Sequence, residues 1–207
     1  MPLSWQLEHQ HGWPDTPVAG VDEAGRGPWA GPVVAAAIIL PADFALSGPL
    51  SVDDSKKLSE KKREAIFEQL VALPHGIGQA SVDEIDQLNI LQATFLAMTR
   101  AVDGLAQTPA HVLVDGNHLP TWDRSATAVI GGDGLSPSIA AASILAKVTR
   151  DRIMRQLDAA FPVYGWASNK GYGAKAHQIG LAEHGVSPHH RKSYAPIRKI
   201  LSPEDPI

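Results

Sequence analysis

Residues Val18–Pro32 read VAGVDEAGRGPWAGP and run directly into VVAAAIIL, Val33–Leu40. An apolar approach through Val18, Ala19 and Val21 delivers two adjacent acids, Asp22 and Glu23. Glycines at 25, 27 and 31 and prolines at 28 and 32 follow. The approach reads as a strand, Val18–Asp22. The next apolar run, Pro32–Leu40, is bounded by Gly31 and Pro41 and is short enough for a buried strand. Two strands joined without a crossover helix predict an antiparallel pair at the start of a sheet. They also pose a chemical question: why a buried strand should end in paired carboxylates, with Arg26 set between glycines just beyond. A solvated acidic turn is one answer, and a functional strand end is the other.

Outward from this stretch, Gly76–Val82 reads as a third strand, weakened by its glycines, and His111–Asp115 and Ser125–Ile130 as two more. Ser59 is placed to cap a helix over Lys61–Leu73, whose Ile66, Leu70 and Leu73 recur at helical spacing. Leu88–Leu105 forms a second helix with Leu91, Phe95, Met98 and Val102 on one face. Ser138 to about Ala160 is a long alanine-rich helix, and Ala174–His184 a last short one. A meander followed by strand–helix alternation predicts a mixed sheet of five strands with helices on both faces. Residues 1–16 are polar and proline-containing, which predicts a loose lead-in, and a loose tail is expected after Leu201.

The 207 residues, 44% hydrophobic and 19% charged, fit one globular domain. There is no cysteine, which excludes disulfides and thiolate metal sites, so any metal must be held by oxygen or imidazole. No stretch of 18 apolar residues occurs, which predicts no membrane span. The opening MPLSWQLEHQ lacks a basic segment followed by an apolar run, so a cytoplasmic protein is expected. The net charge of −4 argues against a nucleic-acid partner, but its distribution does not. Between positions 170 and 199, six lysines and arginines (Lys170, Lys175, Arg191, Lys192, Arg198 and Lys199) face the single acid Glu183. That basic stretch reads either as a phosphate footprint or as solvated helix ends.

Three apolar strands end in, or just before, carboxylates: Asp22 with Glu23, Asp115, and Asp133 after Gly131 and Gly132. Acids at strand ends are held rigidly and left accessible. Like charges brought together are costly unless cations neutralise them. With no sulfur available, Mg²⁺ or Mn²⁺ on oxygen ligands is the natural neutraliser, and two such ions suit phosphodiester hydrolysis. Alternatively, the acids cap neighbouring helices or pair with Lys147 or Arg150.

Five blocks carry a resemblance: VAGVDEAGRGPWAGPV, DDSKKLSEKKRE, VLVDGN, GGDGLSPSIAAASILAKVTRDR, and YGWASNKGYGAKAH with GVSPHHRKSY after it. In this order they resemble the type 2 ribonuclease H family, bacterial ribonuclease HII, over residues 18 to about 198. The resemblance implies a ribonuclease H-like mixed five-stranded sheet flanked by helices, with a small helical C-terminal extension. The implied division is a lead-in over 1–16, a catalytic core over 17–162, the extension over 163–201 and a tail over 202–207. It implies a metal-dependent endoribonuclease that cleaves the RNA strand of RNA–DNA hybrids. The same activity incises 5′ of single ribonucleotides in duplex DNA, leaving 3′-hydroxyl and 5′-phosphate ends.

By the same resemblance Asp22, Glu23, Asp115 and Asp133 are the catalytic metal ligands for Mn²⁺ or Mg²⁺. Gly25, Arg26 and Gly27 lie against the ribonucleotide sugar and read its 2′-hydroxyl, the group that separates RNA from DNA. Tyr172 stacks near the next sugar and enforces the RNA-to-DNA junction; a buried structural tyrosine is the alternative. Partners are the hybrid and ribonucleotide-containing duplex DNA, with no membrane, and the chain is expected to act as a monomer. Lys56 and Lys57 precede a helix start and suit backbone contact. Ser143 and Lys147 share one face of the long helix, where the alanines favour close packing. His189, His190 and Arg191 read as phosphate-facing or structural. Two positions depart from the family pattern: Gly131 stands where a lysine is frequent, and Ala174 where a threonine is usual. A DNA-directed nuclease with an acidic triad and a non-catalytic hybrid-binding module are the competing readings.

Overall fold

The computed structural model describes residues 3–45 and 58–202. Asp54, Lys56 and Lys57, and the tail after Ser202, lie outside the described residues. One five-stranded sheet carries the molecule, with strands β1 (Val18–Ala24), β2 (Val33–Ile39), β3 (His75–Ala80), β4 (His111–Asp115) and β5 (Ala126–Val129). Their order is β3-β2-β1-β4-β5, so the strand that ends in Asp22 and Glu23 is central. β1, β2 and β3 form the antiparallel meander, while β4 pairs parallel with β1 and β5 parallel with β4. Both faces are covered, which is why β2 is buried along its whole length and needs no polar alternation.

On one face, α2 (Glu60–Leu70) and the long α5 (Pro137–Ala160) pack over Ala36, Ile38 and Leu40. Ser59 caps α2, accepting from the Lys62 amide. On the other face lie α3 (Val82–Leu88) and α4 (Ile90–Asp103), over Val33, Ala35, Ala37 and Val114. Here the structure departs from the sequence expectation. Val82 begins a helix rather than ending a strand, because Ser81 and Glu84 form a reciprocal capping box. Asn89, at φ 70°, then separates α3 from α4. The buried face of α4 is also rotated: Ala93, Ala97 and Ala101 turn inward with Met98 and Val102, while Leu91 and Phe95 are only half-buried. The small residues suit β3, where a Cβ on Gly76 or Gly78 would fall 2.1 Å from a backbone oxygen of α4.

The expected loose lead-in is instead packed. α1 (Gln6–Gln10) lies between Trp5 and Trp13, whose rings stack at 4.1 Å. Glu8 is fully buried and accepts hydrogen bonds from the Ser136 and Ser138 hydroxyls and the Ser138 amide at the start of α5. At the other end, α6 (Trp166–Asn169), α7 (Lys175–His184) and α8 (Ala195–Leu201) surround a cluster of Ala30, Met154, Tyr164, Trp166, Leu181 and Ile197. No helix among the described residues is long and apolar enough to cross a membrane.

Candidate active site

The parallel ladder between β1 and β4 ends at Val21 opposite Val114, one residue short of Asp22 and Asp115. The two acids therefore stand side by side where the central strands part. Asp115 is held by the Gly132 amide, which donates to its Oδ1 at 2.7 Å. Asp22 accepts from the Glu23 amide at 2.7 Å and is bonded by the Ser143 side chain of α5. That bond requires α5 to lie close on β1, and the sequence provides for it: a Cβ on Gly20 would fall 2.1 Å from the Ser138 carbonyl carbon.

A cavity of about 430 Å³ opens over this end of the sheet. Asp22, Glu23, Asp115, Ser143, Lys147 and Arg150 line it, together with the Ala24–Gly27 turn and Tyr172. Gly25 adopts φ 102°, and a Cβ there would fall 2.0 Å from Nε of Arg150. Only glycine lets the turn pass. Arg26 is about half exposed and reaches Glu23 at 3.4 Å. Tyr172 is 52% exposed, so it is not a core tyrosine. A Cβ on Gly27 would lie 3.3 Å from its ring, so turn and tyrosine are neighbours.

The electrostatics are those of crowded acids. Burial holds the Asp22 carboxyl well above the usual carboxylate range, and the charges of Glu23 and Asp115 push it further. Glu23 is raised by burial and by Asp115, against the pull of Arg26. Beyond Arg26, the nearby cations are engaged elsewhere: Lys147 pairs with Asp151 at 2.8 Å, and Arg150 donates to the carbonyls of Pro32, Ala30 and Lys170. Among the described residues no three histidine or acidic side chains form a ready-made metal cage. An open, all-oxygen, over-negative edge instead suits a hard divalent ion that keeps waters and shares oxygens with a phosphate.

Of the sequence-predicted residues, Asp22, Glu23, Asp115, Gly25, Arg26, Gly27 and Tyr172 share the cavity. Asp133 does not line it; it is buried in the short 3-10 turn Gly132–Gly134, whose first amide holds Asp115. Ser143 and Lys147, read from sequence mainly as part of a packing helix, belong to the site. Their i, i+4 spacing was the available signal. The basic C-terminal stretch divides. Arg191 and His190 are fully buried and structural, and Lys170 bonds the Ala167 carbonyl, whereas Lys175, Lys192, Arg198 and Lys199 are exposed. Ala174 stands at the N-cap of α7 without a side-chain cap bond, as the missing hydroxyl implies.

A mixed sheet of this order, with carboxylates gathered where its two central parallel strands part, is the frame of the ribonuclease H-like hydrolases. Comparison with known proteins agrees. The ribonuclease HII family model matches residues 19–197. Ribonuclease HII of Sphingopyxis alaskensis is 55% identical over 184 residues, 88% of this chain and 91% of the relative. That of Burkholderia lata is 55% identical over 190 residues, 91% and 87% of the two chains. The crystal structure of ribonuclease H2 from Pyrococcus horikoshii aligns with a TM-score of 0.73 at 28% identity, covering 89% of this chain and 96% of that one. Bst-RNase HIII, solved with Mn²⁺, shares the fold at a TM-score of 0.73 and 22% identity, covering 95% and 72%. The chain belongs to the ribonuclease HII family. It is a nuclease with ribonuclease H endonuclease activity, in a family that acts on RNA–DNA hybrids and depends on divalent metal.

Proposed function

We propose that this ribonuclease H incises duplex DNA 5′ of single embedded ribonucleotides, as well as the RNA strand of hybrids, leaving 3′-hydroxyl and 5′-phosphate ends. One observation carries the reading: the cavity that gathers Asp22, Glu23 and Asp115 is also walled by Gly25–Gly27 and Tyr172. A nuclease indifferent to the sugar would have no use for a turn beside the acids in which two glycines bare the backbone on either side of an arginine. Close approach of backbone to ligand is what reading a 2′-hydroxyl needs.

Asp22, Glu23 and Asp115, with Asp133 behind them, would hold Mn²⁺ or Mg²⁺. When bound, such ions lower the pKa of water and stabilise the charge that develops on a phosphodiester. The chain's own residues bind and orient. Ser143 fixes the Asp22 carboxylate, and Arg26 offers a fork of donors to a phosphate or sugar oxygen. Tyr172, with its ring exposed, offers a face to the adjoining sugar. Exposed Lys175 and Lys192 would meet backbone phosphates, so hybrid affinity should fall with salt. The core over 17–162, the extension over 163–201, a monomeric state and a cytoplasmic location complete the reading.

The test is Tyr172→Ala, assayed with Mn²⁺ and with Mg²⁺ on a duplex carrying one ribonucleotide and on a long hybrid. Loss of a stacking face costs about 1–3 kcal/mol, roughly one to two orders of magnitude. The loss in kcat/KM should be larger on the single ribonucleotide, where no second register is available. An equal loss on both substrates would remove Tyr172 from sugar recognition.

A further inference from the structure

Two parts of the cavity wall, the Gly25–Gly27 turn and Tyr172, lie outside every strand and helix. Both are tied to one dipeptide, His190–Arg191, in the connection between α7 and α8. Its backbone runs beside the end of the turn: Ala30 and His190 form an isolated bridge, and the Arg191 amide donates to the Trp29 carbonyl at 2.8 Å. From there the two side chains diverge.

Arg191 is fully buried. Its Nη2 donates to the carbonyls of Gly25 at 2.6 Å and Gly31 at 2.8 Å, and its Nε to Gly31 at 3.0 Å. Its Nη1 donates to the Arg26 carbonyl and to the Tyr194 hydroxyl, each at 2.9 Å, and that hydroxyl donates in turn to the Arg26 carbonyl. Every N–H of the guanidinium is thus used: two reach the turn's own carbonyls, at Gly25 and Arg26, two the Gly31 carbonyl just beyond it, and one the Tyr194 hydroxyl.

His190, also fully buried, reaches the other wall through His177. The protons of this chain are determined by its ends. Nδ1 of His177 faces the Tyr172 carbonyl at 2.9 Å, an oxygen that only accepts, so Nδ1 carries the proton. Nε2 of His177 then accepts, from the Trp166 indole at 3.1 Å and from Nε2 of His190 at 2.9 Å. His190 therefore donates through Nε2, and its Nδ1 accepts from the Ser187 amide at 2.9 Å. Each ring is neutral and has one orientation.

We propose that His190 and Arg191 are positioning residues that fix the separation between the Gly25–Gly27 turn and Tyr172, and with it the preference for a ribonucleotide. The proposal rests on the reading that those two walls recognise the sugar. A purely stabilising pair would, when altered, depress cleavage of all substrates alike. A gauge between two recognition elements shifts the ratio between substrates, because misplacement of a recognition group by about 1 Å costs up to about a hundredfold.

The experiment measures kcat/KM on a duplex with one ribonucleotide and on a long hybrid, with amide hydrogen exchange over 25–32 and 170–174. Arg191→Lys keeps the charge but cannot span the same carbonyls. His190→Asn keeps an acceptor for Ser187 and loses the reach to His177, whereas His190→Gln restores a donor near the position of Nε2. Arg191→Lys and His190→Asn should each lower the single-ribonucleotide to hybrid ratio by about tenfold and speed exchange in both segments. His190→Gln should recover most of the ratio. If Arg191→Lys does not fold, the two His190 variants carry the test alone. An unchanged ratio in folded variants, while Tyr172→Ala shifts it, overturns the gauge and leaves the sugar reading standing. A ratio that Tyr172→Ala also leaves unchanged overturns the sugar reading itself. Unchanged exchange in both segments overturns the gauge whatever the ratio does.

Discussion

Two sets of like charges gather around the Gly25–Gly27 turn, and they are accommodated in contrasting ways. Arg150 and Arg191 are almost wholly inaccessible, yet six backbone carbonyls receive their N–H groups. Burial, and then the charge of Arg191, lower Arg150 only to about 10, so it stays protonated at neutral pH. Asp22, Glu23 and Asp115 meet a hydroxyl, two amides and the exposed Arg26, and burial, then their own charges, raise Asp22 and Glu23 above the usual carboxylate range. The arginine set is finished by the fold. If the acids hold metal as proposed, the carboxylate set is finished by cations from outside, and that openness is what makes it a site.

The sharpest way to break this contrast is Asp22→Asn. Cleavage should fall on the order of a thousandfold, because a charged ligand is lost where charge develops in the reaction. The metal-free variant should nevertheless melt higher than the parent, since a repulsive buried charge is gone. Mn²⁺ should raise the parent's Tm and raise the variant's much less. A variant with near parental rates at saturating Mn²⁺ would end the assignment.

Arg150→Met tests the other half. Three carbonyls lose their donor, and the unfolding free energy should drop by about 3 kcal/mol in urea titrations, equally with and without Mn²⁺. An unchanged or higher stability would mean that the carbonyls do not repay the burial of the charge.

A pH series separates the groups further. His190 is held down to about 4, first by burial and then by the repulsion that His177 would exert if it too were protonated. Its folded value lies below the ordinary 6.5, so its contribution is present above 6.5 and is lost as pH falls toward 4. The loss amounts to up to about 3 kcal/mol. Asp22 has the opposite sign: raised above 3.8, it favours the native state when protonated, and that contribution is lost as pH rises through its folded value. Unfolding free energies from pH 7 to 4 should therefore fall less steeply for His190→Asn than for the parent. The smallest effect is expected from Ala174→Thr, which supplies the absent N-cap of α7 and should add about 1 kcal/mol of stability.

How much of this was legible in the sequence follows the range of each interaction. The strands and their terminal acids were readable, because apolar runs and breakers are local, and parallel pairing of the fourth strand with the first brings Asp115 beside Asp22. The capping box Ser81–Glu84 was equally local, and its S-x-x-E signature lay in the text; reading through to Val82 as strand obscured it. Glu8 was not legible. It meets Ser136 and Ser138, 128 and 130 residues further along the chain, and nothing in a polar N-terminal segment announces that contact. Nor was Arg191 legible, since backbone carbonyls leave no residue signature, and a lysine–arginine run looks the same whether it faces phosphate or the protein's own main chain.

Gly20 sets the terms on which this site can drift over generations. It precedes Asp22 by two residues on β1, and its missing side chain is the space into which the backbone of α5 fits at Ser138, five residues ahead of Ser143. Strand and helix rises place these two points of contact about 7 Å apart along one seam. Every coding change at position 20 enlarges the residue, and the first methyl group would pry the helix away from the strand beside the Ser143–Asp22 bond. Residues in direct contact with a substrate can be exchanged one at a time and tried. Position 20, which touches none, has no smaller neighbour to try.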